Sequence, residues 1–254
     1  MINKYIIELK TTGRTIINYF TNKECITIKK FLYNNFKLYG HPNSDIKNIP
    51  YNNQTHGTYW CFDFNTIKEN KIRELLKDEG ILHIIQTYFN TTPKLATIMN
   101  WKTKLSINSD KYKNQHAQQF HQDWTWVTFI KIFIYLNDVT EKNACHRFIK
   151  NSFKNLPSEL INTGYKPGNR LSDIEIKKYF GDNCIENIIG NAGSIIIEDT
   201  RNFHSGSPCI EGERDLYEIT YNAGHYPQKD KNTENASNLF KHLEPTFYNK
   251  YPNI

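Results

Sequence analysis

The sequence predicts a mainly β protein with helices gathered in its first third, and two patterns support this. Up to residue 93, apolar residues recur near a period of 3.6, which is typical of amphipathic helices. From there to about residue 223, the segments are short, β-branched and aromatic, which is the composition of strands. About eight short strands favour a sandwich or a barrel, and a two-sheet jelly roll is one such fold.

Helices are expected where the apolar period is clear and a capping residue precedes it. Thr21 or Asn22 is the candidate cap of the first helix. A segment over residues 40–65 is rich in Asn, Pro and His and is expected to be a loop. Ser172 and Glu175 form a capping-box pattern, which predicts a short helix starting there. The predicted helices span 21–36, 66–77, 80–89 and 172–179.

Strands are expected where β-branched and aromatic runs lie between turn residues. The strand over 129–137 alternates between isoleucines on one face and Lys131, Phe133 and Tyr135 on the other. The aliphatic face is expected to pack against the other sheet or against helices. The Lys131 face either lines a cavity or meets solvent. The predicted strands span 94–103, 117–123, 129–137, 146–151, 184–190, 193–199, 204–207 and 214–223.

The composition fits a single domain of 254 residues. We expect residues 1–93 to form a helical and loop support region, 94–223 the β core and 224–254 a polar C-terminal extension. The net charge of +6 raises a nucleic-acid-binding alternative. The basic residues form no run of five or six, however, so we expect no nucleic-acid partner. Five isolated cysteines and an N-terminus with only a short apolar run predict a cytoplasmic protein without a membrane segment.

Two candidate metal ligands lie close together at His121 and Asp123. Side chains at i and i+2 of an extended segment point to the same side, so this imidazole and this carboxylate can bind one metal ion. A third ligand must come from elsewhere in the chain. A motif this short also occurs by chance, and a core histidine beside a turn-forming aspartate is the alternative.

A second set of residues connects this motif to a known family. His204 lies in the segment DTRNFHSGSP, and Arg214 follows ten positions later at the start of an alternating strand. The ordered set His121, Asp123, His204 and Arg214 resembles the phytanoyl-CoA dioxygenase family of iron(II)- and 2-oxoglutarate-dependent oxygenases. The segment FIKIFIYLNDVTEKNACHRFIKNSF resembles that family's strand and following turn. The resemblance covers about residues 95–223.

The sequence departs from that family at three places, none of which is a metal-ligand position. Ala144 stands where a glycine is usual, and Asn151-Ser152-Phe153 replaces a Gly-Ser-His segment. Gly206 stands two residues after the distal histidine, where relatives often carry a serine. The first two departures bear on the subfamily and the substrate, and the third removes one expected contact to the cosubstrate.

The resemblance implies a double-stranded β-helix core, which is a cupin-like jelly roll, with flanking helices. It implies that His121, Asp123 and His204 hold Fe(II) and leave positions open for 2-oxoglutarate and dioxygen. The implied reaction releases succinate and carbon dioxide and oxidises an unactivated C–H bond, most simply by hydroxylation. The retained Asp123 argues against halogenation, because related halogenases carry a small residue at that position.

Further residues are expected to bind the cosubstrate and the substrate. Arg214 is predicted to hold the far carboxylate of 2-oxoglutarate, because a guanidinium offers two parallel donors that match a carboxylate. Ser207 is the substitute for the missing family hydroxyl, with an ordinary turn serine as the alternative. Lys131 is predicted to face the same cavity, where it assists cosubstrate binding or holds an anionic substrate. The residues predicted to line the substrate pocket are Trp124, Trp126 and Tyr135.

The substrate class stays broad at this point: a small organic molecule, free or tethered to coenzyme A or a carrier protein. The main alternative function is a cupin-like isomerase or binding module, which keeps the three metal ligands but has no use for Arg214. The alternative for Arg214 itself is a surface ion pair with Glu211 or Glu213. Binding of 2-oxoglutarate that depends on Arg214 separates these functions.

Overall fold

The computed structural model of the protein describes residues 2–39, 49–54, 57–104 and 116–223. Within these ranges no helix is both long and apolar enough to cross a membrane. All five cysteines are free thiols. The α-helices are α1 (Ile2–Thr12), α2 (Asn22–Asn35), α3 (Asn70–Leu76), α4 (Glu79–Phe89), α5 (Ser158–Asn162) and α6 (Asp173–Phe180).

The strands build two main antiparallel sheets. They are β1 (Arg14–Asn18), β2 (Lys37–Leu38), β3 (Ile49–Pro50), β4 (Gly57–Cys61), β5 (Lys94–Lys104), β6 (Phe129–Tyr135), β7 (His146–Ile149), β8 (Ile185–Ile188), β9 (Ser194–Glu198), β10 (His204–Gly206) and β11 (Glu213–Asn222). The major sheet has the order β1-β9-β6-β11-β5-β4, and the minor sheet has the order β10-β7-β8. The short strands β2 and β3 pair separately.

The two faces of the major sheet meet different partners. On one face, the isoleucines of β6 pack with residues of α2, α3 and α4 in the largest apolar cluster. On the other face, Phe133 and Tyr135 pack against Phe148 of β7 and Ile188 of β8. The predicted aliphatic face of β6 therefore packs against helices, and the face that carries Lys131 lies between the two sheets.

The predicted strand over 117–123 is wrong as a continuous strand. A 3-10 helix occupies His116–Gln118, and only isolated bridges follow at Phe120 and His121. One of these bridges joins the outer edge of the minor sheet at β10. A segment that makes single bridges to two different partners cannot form a regular ladder. The other predicted strands are present, with ends that differ by a few residues.

The first third of the chain contributes strands that the sequence did not predict. β1 pairs with β9, and β4 pairs with β5, so both edges of the major sheet come from this region. β1 is short, and it follows α1 directly through Gly13, whose φ of +91° suits glycine. The predicted loop over 40–65 therefore contains β3 and β4. Its residues 40–48 and 55–56, like the predicted C-terminal extension 224–254, lie outside the described residues.

The predicted helices are largely confirmed. Thr21 caps α2 through a complete capping box with Glu24, and Ser172 caps α6 in the same way. The predicted helix 66–77 is instead a 3-10 helix followed by α3. The break occurs because the Glu69 side chain accepts from the backbone of Ile72 and starts a new helix there.

Candidate metal and cosubstrate site

The structure brings three predicted residues together at the edge of the minor sheet. His121, Asp123 and His204 each offer one ligand atom, and these atoms all lie within 4.8 Å of one another. Nε2 of His121 lies 3.7 Å from Oδ1 of Asp123, and Nε2 of His204 lies 3.6 Å from Oδ2. Both histidines are buried. Two imidazoles and one carboxylate therefore meet at one point.

Backbone pairing fixes the two imidazoles side by side. The N–H of His121 donates to the carbonyl of His204 at 3.1 Å, and the N–H of His204 donates back at 3.0 Å. Residues paired in this way direct their side chains to the same face, and the two ring centroids are 4.3 Å apart. The N–H of Asp123 donates to the carbonyl of Thr200 at 2.9 Å, which fixes the third ligand against the loop before β10.

The backbone also selects the tautomer of both histidines. Nδ1 of His121 lies 2.9 Å from the carbonyl oxygen of Gln119, and Nδ1 of His204 lies 3.0 Å from that of Asn202. A carbonyl only accepts, so Nδ1 carries the proton and Nε2 presents its lone pair toward Asp123. Burial lowers the pKa of His204 to about 4, and burial together with the neighbouring His204 lowers the pKa of His121. Both rings are therefore neutral, as metal coordination requires.

A buried network holds the carboxylate of Asp123. Nζ of Lys131 lies 3.0 Å from Oδ2 of Asp123 and 3.0 Å from Oε1 of Glu218. Nε1 of Trp101 donates to the other oxygen of Glu218 at 2.8 Å. Burial alone raises the pKa of Asp123, but the charge and hydrogen bond of Lys131 together with the two histidines outweigh it, and the pKa is lowered overall. The ammonium of Lys131 is paired with two carboxylates on the inner side of β6 and is not free for another anion.

Arg214 is buried beside β10, and no described residue provides it with an anionic partner. It is 7% exposed, and its Nε and Nη1 atoms have no hydrogen-bond partner among the described residues. A β-carbon added at Gly206 would lie 3.6 Å from Nη2 of Arg214, so the guanidinium lies next to β10, two positions after His204. Burial lowers the pKa of Arg214, but a guanidinium stays charged in proteins. The surface ion pair considered for Arg214 is therefore wrong.

Two of the other residues predicted at the site, Ser207 and Tyr135, form hydrogen bonds within the fold. The hydroxyl of Ser207 is buried and accepts a weak hydrogen bond from Sγ of Cys145 at 3.4 Å. The hydroxyl of Tyr135 donates to the carbonyl of Ile188 at 2.7 Å and accepts from the N–H of His146 at 3.1 Å. Tyr135 therefore connects the two sheets, and its hydroxyl is already used by the fold.

The two tryptophans after the HxD motif diverge. Trp124 is 66% exposed, whereas Trp126 is buried and packs against Phe129 and Ala96. Trp126 is thus a core residue, and its contacts do not support the pocket role predicted for it. Trp124 lies at the surface directly after a metal-ligand residue.

The sequence reasoning missed a second buried pair beside the histidines. Nε2 of His146 lies 2.9 Å from Oε2 of Glu198, and the ring of His146 stacks on that of His204 with centroids 5.8 Å apart. His146 therefore uses its Nε2 in the pair with Glu198 and lies outside the three-residue ligand set. Glu218 alternates with Tyr217 and Ile219 along β11, and that alternation was the signal that places it between the sheets, whereas Glu198 ends a run of three isoleucines in β9 and has no such signal.

The donor set fits a divalent iron ion. Two neutral imidazoles and one carboxylate on one side of a site are the 2-His-1-carboxylate set of non-haem iron oxygenases. The described residues place no cysteine-rich or three-histidine set, which would favour zinc, at this position. Ligand histidines that donate Nδ1–H to fixed carbonyls are the usual second contact of such sites.

Comparison with solved structures identifies the fold. A structure of HygX from Streptomyces hygroscopicus with nickel and 2-oxoglutarate bound has a TM-score of 0.61 at 13% identity and covers 87% of each chain. AviO1 from Streptomyces viridochromogenes Tue57 has a TM-score of 0.58 at 12% identity, covering 91% of this chain and 98% of that chain. SnoN is a non-heme alpha ketoglutarate dependent epimerase from nogalamycin biosynthesis. Its structure has a TM-score of 0.61 at 13% identity, covering 91% of this chain and 87% of that chain. The shared fold confirms the predicted jelly-roll core.

No protein-family model matches the sequence, and no curated protein matches it. These solved structures share well below 25% sequence identity with this chain, so the similarity is evidence for the fold alone. Membership of the phytanoyl-CoA dioxygenase family in particular stays a prediction.

Proposed function

We propose that this protein is an Fe(II)- and 2-oxoglutarate-dependent dioxygenase. His121, Asp123 and His204 are the residues that would hold the iron. When bound, the iron would couple activation of dioxygen to the decarboxylation of 2-oxoglutarate. Two neutral imidazoles and one carboxylate leave a net positive charge at a divalent ion, which suits an anionic cosubstrate.

The observation that carries this proposal is the unpaired Arg214. A buried charge without a partner lowers stability, and proteins keep such a group where a ligand completes it. The far carboxylate of 2-oxoglutarate would accept two parallel hydrogen bonds from this guanidinium. Gly206 leaves room on the β10 side of Arg214, so the keto acid would lie between the guanidinium and the metal ligands.

The remaining inner residues have supporting roles. Lys131 and Glu218 hold Asp123 in one orientation, so that its carboxylate stays aimed at the two histidines. Phe133 and Tyr135 exclude water from the space between the sheets. Ser207 is the candidate for a further cosubstrate contact. Its hydroxyl is buried beside the thiol of Cys145, and that thiol interacts electrostatically with Arg214.

The reaction we favour is hydroxylation of a small organic molecule. One dioxygen, one 2-oxoglutarate and one C–H bond would give succinate, carbon dioxide and an alcohol. SnoN is an epimerase and SnoK from nogalamycin biosynthesis is a carbocyclase, and both are named as alpha ketoglutarate dependent. Epimerisation or ring closure is therefore the second outcome to test on any substrate. The substrate itself is proposed to be a small molecule, free or carrier-tethered, with no role for nucleic acid or membrane.

Anaerobic calorimetry tests the proposal. We expect 2-oxoglutarate to bind the Fe(II)-loaded protein and not the metal-free protein. Arg214→Gln should weaken this binding by about 100-fold, because charge-assisted paired hydrogen bonds are lost. Arg214→Lys should fall between the two, since lysine keeps the charge but not the paired geometry.

Two outcomes would contradict it. Metal binding with no affinity for 2-oxoglutarate would favour the cupin-like isomerase or binding module. Equal affinity in wild type and Arg214→Gln would remove the guanidinium from the site. In air, succinate release should require iron and should vanish in His204→Ala, which serves as the control for adventitious chemistry.

A further inference from the structure

Residues 165–171, here called the rim segment, run alongside the metal-ligand motif. Leu171 exchanges two backbone hydrogen bonds with Phe120, at 3.0 and 2.8 Å. Three residues earlier, the N–H of Gly168 donates to the carbonyl of Gln122 at 3.1 Å. Arg170 lies between these two contacts and is therefore level with His121, which lies between Phe120 and Gln122. The rim segment therefore brings a cation to the side of the proposed metal site.

The guanidinium of Arg170 has no partner in the part of the chain that the structure describes. It forms no hydrogen bond or ion pair there, although it is close enough to interact electrostatically with Asp123 and His121. The hydroxyl of Tyr165, on the same segment, is buried and also has no hydrogen-bond partner. Arg170 is exposed at the surface, and the partial burial of its guanidinium lowers its pKa, which the charge of Asp123 partly offsets. An unpaired guanidinium beside a site is suited to a carboxylate or a phosphate.

A flat apolar surface lies next to this cation. Trp124 is 66% exposed and lies against Gly168 of the rim segment, where an added β-carbon would be only 2.7 Å from the indole Nε1. The glycine thus permits contact that fixes the indole, while one side of the ring stays open. Val127 is 61% exposed three residues further on. Exposed apolar residues around a site are typical of ligand contacts.

We infer that the mouth of this site binds an organic anion carried on a flat apolar body, with Arg170 holding the carboxylate or phosphate and Trp124 stacking on the body. The inference rests on the proposed function and names the class of its substrate. Arg214 is assigned to the cosubstrate and Lys131 is already paired, so Arg170 is the unpaired cation that the described residues offer beside the site. A neutral or cationic substrate would leave its guanidinium to solvent, whereas an anion gives it a charge-assisted partner.

Calorimetry with three matched probes tests this. Naphthalene-2-carboxylate, 2-naphthyl phosphate and methyl naphthalene-2-carboxylate are titrated anaerobically into protein saturated with Fe(II) and 2-oxoglutarate, so that Arg214 is occupied. We expect the two anions to bind at least about 10-fold more tightly than the ester, because only they form charge-assisted hydrogen bonds. Arg170→Gln should reduce both anions to the affinity of the ester. Trp124→Ala should weaken all three by about 10-fold.

Lys166→Gln is the matched control, because it removes a positive charge from the same segment at an exposed position. It should change each affinity by less than about twofold. Equal binding of acid and ester, no binding of any probe, or unchanged affinity in Arg170→Gln would each overturn the inference. The affinity for 2-oxoglutarate should be the same in wild type and Arg170→Gln. A failure of 2-oxoglutarate to bind the wild type would instead defeat the proposed function, and the probes can then be titrated with the metal alone.

Discussion

The two faces of β6 belong to one strand, yet only one of them carries a charge. The isoleucines of the outer face, which meets the helices, join the largest apolar cluster. The inner face, which lies between the sheets, combines Phe133 and Tyr135 with the partly buried Lys131, and neighbouring strands add the buried Glu198, Glu218 and Arg214. Apolar burial stabilises a fold by about 25 cal/mol per Å², whereas buried charges lower stability unless they are paired. The outer face therefore stabilises the sheet, and the inner face fixes the positions of the charged groups around the proposed site.

The largest expected effect comes from breaking the inner network at Lys131. Lys131→Met leaves Asp123 and Glu218 without their shared cation, so the free energy of unfolding should fall by about 3–5 kcal/mol. Affinity for Fe(II) should fall by about 10- to 100-fold, because the ligand carboxylate loses its second contact. Urea unfolding and anaerobic metal titration measure the two effects.

The double variant Lys131→Met/Glu218→Gln is the control for this prediction. It removes one of the two stranded charges, so part of the lost stability should return. If the single variant is as stable as wild type, Lys131 does not pair inside the protein and the two faces differ less than we infer.

Removing the charge of Arg214 should change the free energy of unfolding in the opposite direction. In the metal-free protein, Arg214→Met removes an unpaired buried charge, so we expect the free energy of unfolding to rise by about 1–3 kcal/mol. Arg147→Met is the matched comparison, because Arg147 is equally buried but bonds to Ser205, Asp173 and the carbonyl of Gln118. Its loss should destabilise. Thermal unfolding measures both changes. If the melting temperatures of the two variants shifted in the same direction, the comparison would be contradicted.

The smallest effect is expected on the outer face. Ile132→Val removes one buried methylene group, so the free energy of unfolding should fall by about 0.5–1.5 kcal/mol. Affinity for Fe(II) and for 2-oxoglutarate should not change, because Ile132 faces the helices. A change in either affinity, measured by the same titrations, would mean that the two faces are coupled through the strand.

Much of the site follows from local sequence. The HxD motif was identified from residue type and spacing, and the distal histidine and the spaced arginine from the resemblance to a known family; the structure brings them together. The alternation of β6 also predicted two distinct faces. Such patterns are visible because side-chain direction in a strand has a period of two.

What the sequence could not supply depends on pairing between distant segments. β1 and β4 are short, and they become strands only because β9 and β5 offer open edges. The role of Lys131 depends on Glu218, which lies on the neighbouring strand. Trp124 and Trp126 look alike in sequence, yet only the fold decides that one is exposed and the other buried.

The position of β1 has a consequence for synthesis of the chain. Arg14 of β1 pairs opposite Glu198 of β9, and a short loop then leads from β9 to the distal histidine at the start of β10. A ribosome must therefore release every residue from β1 to β9 before β1 can pair with its partner strand. Contacts between such distant residues slow folding, so we expect nascent chains that stop before β9 to have an exposed sheet edge and to depend on chaperones.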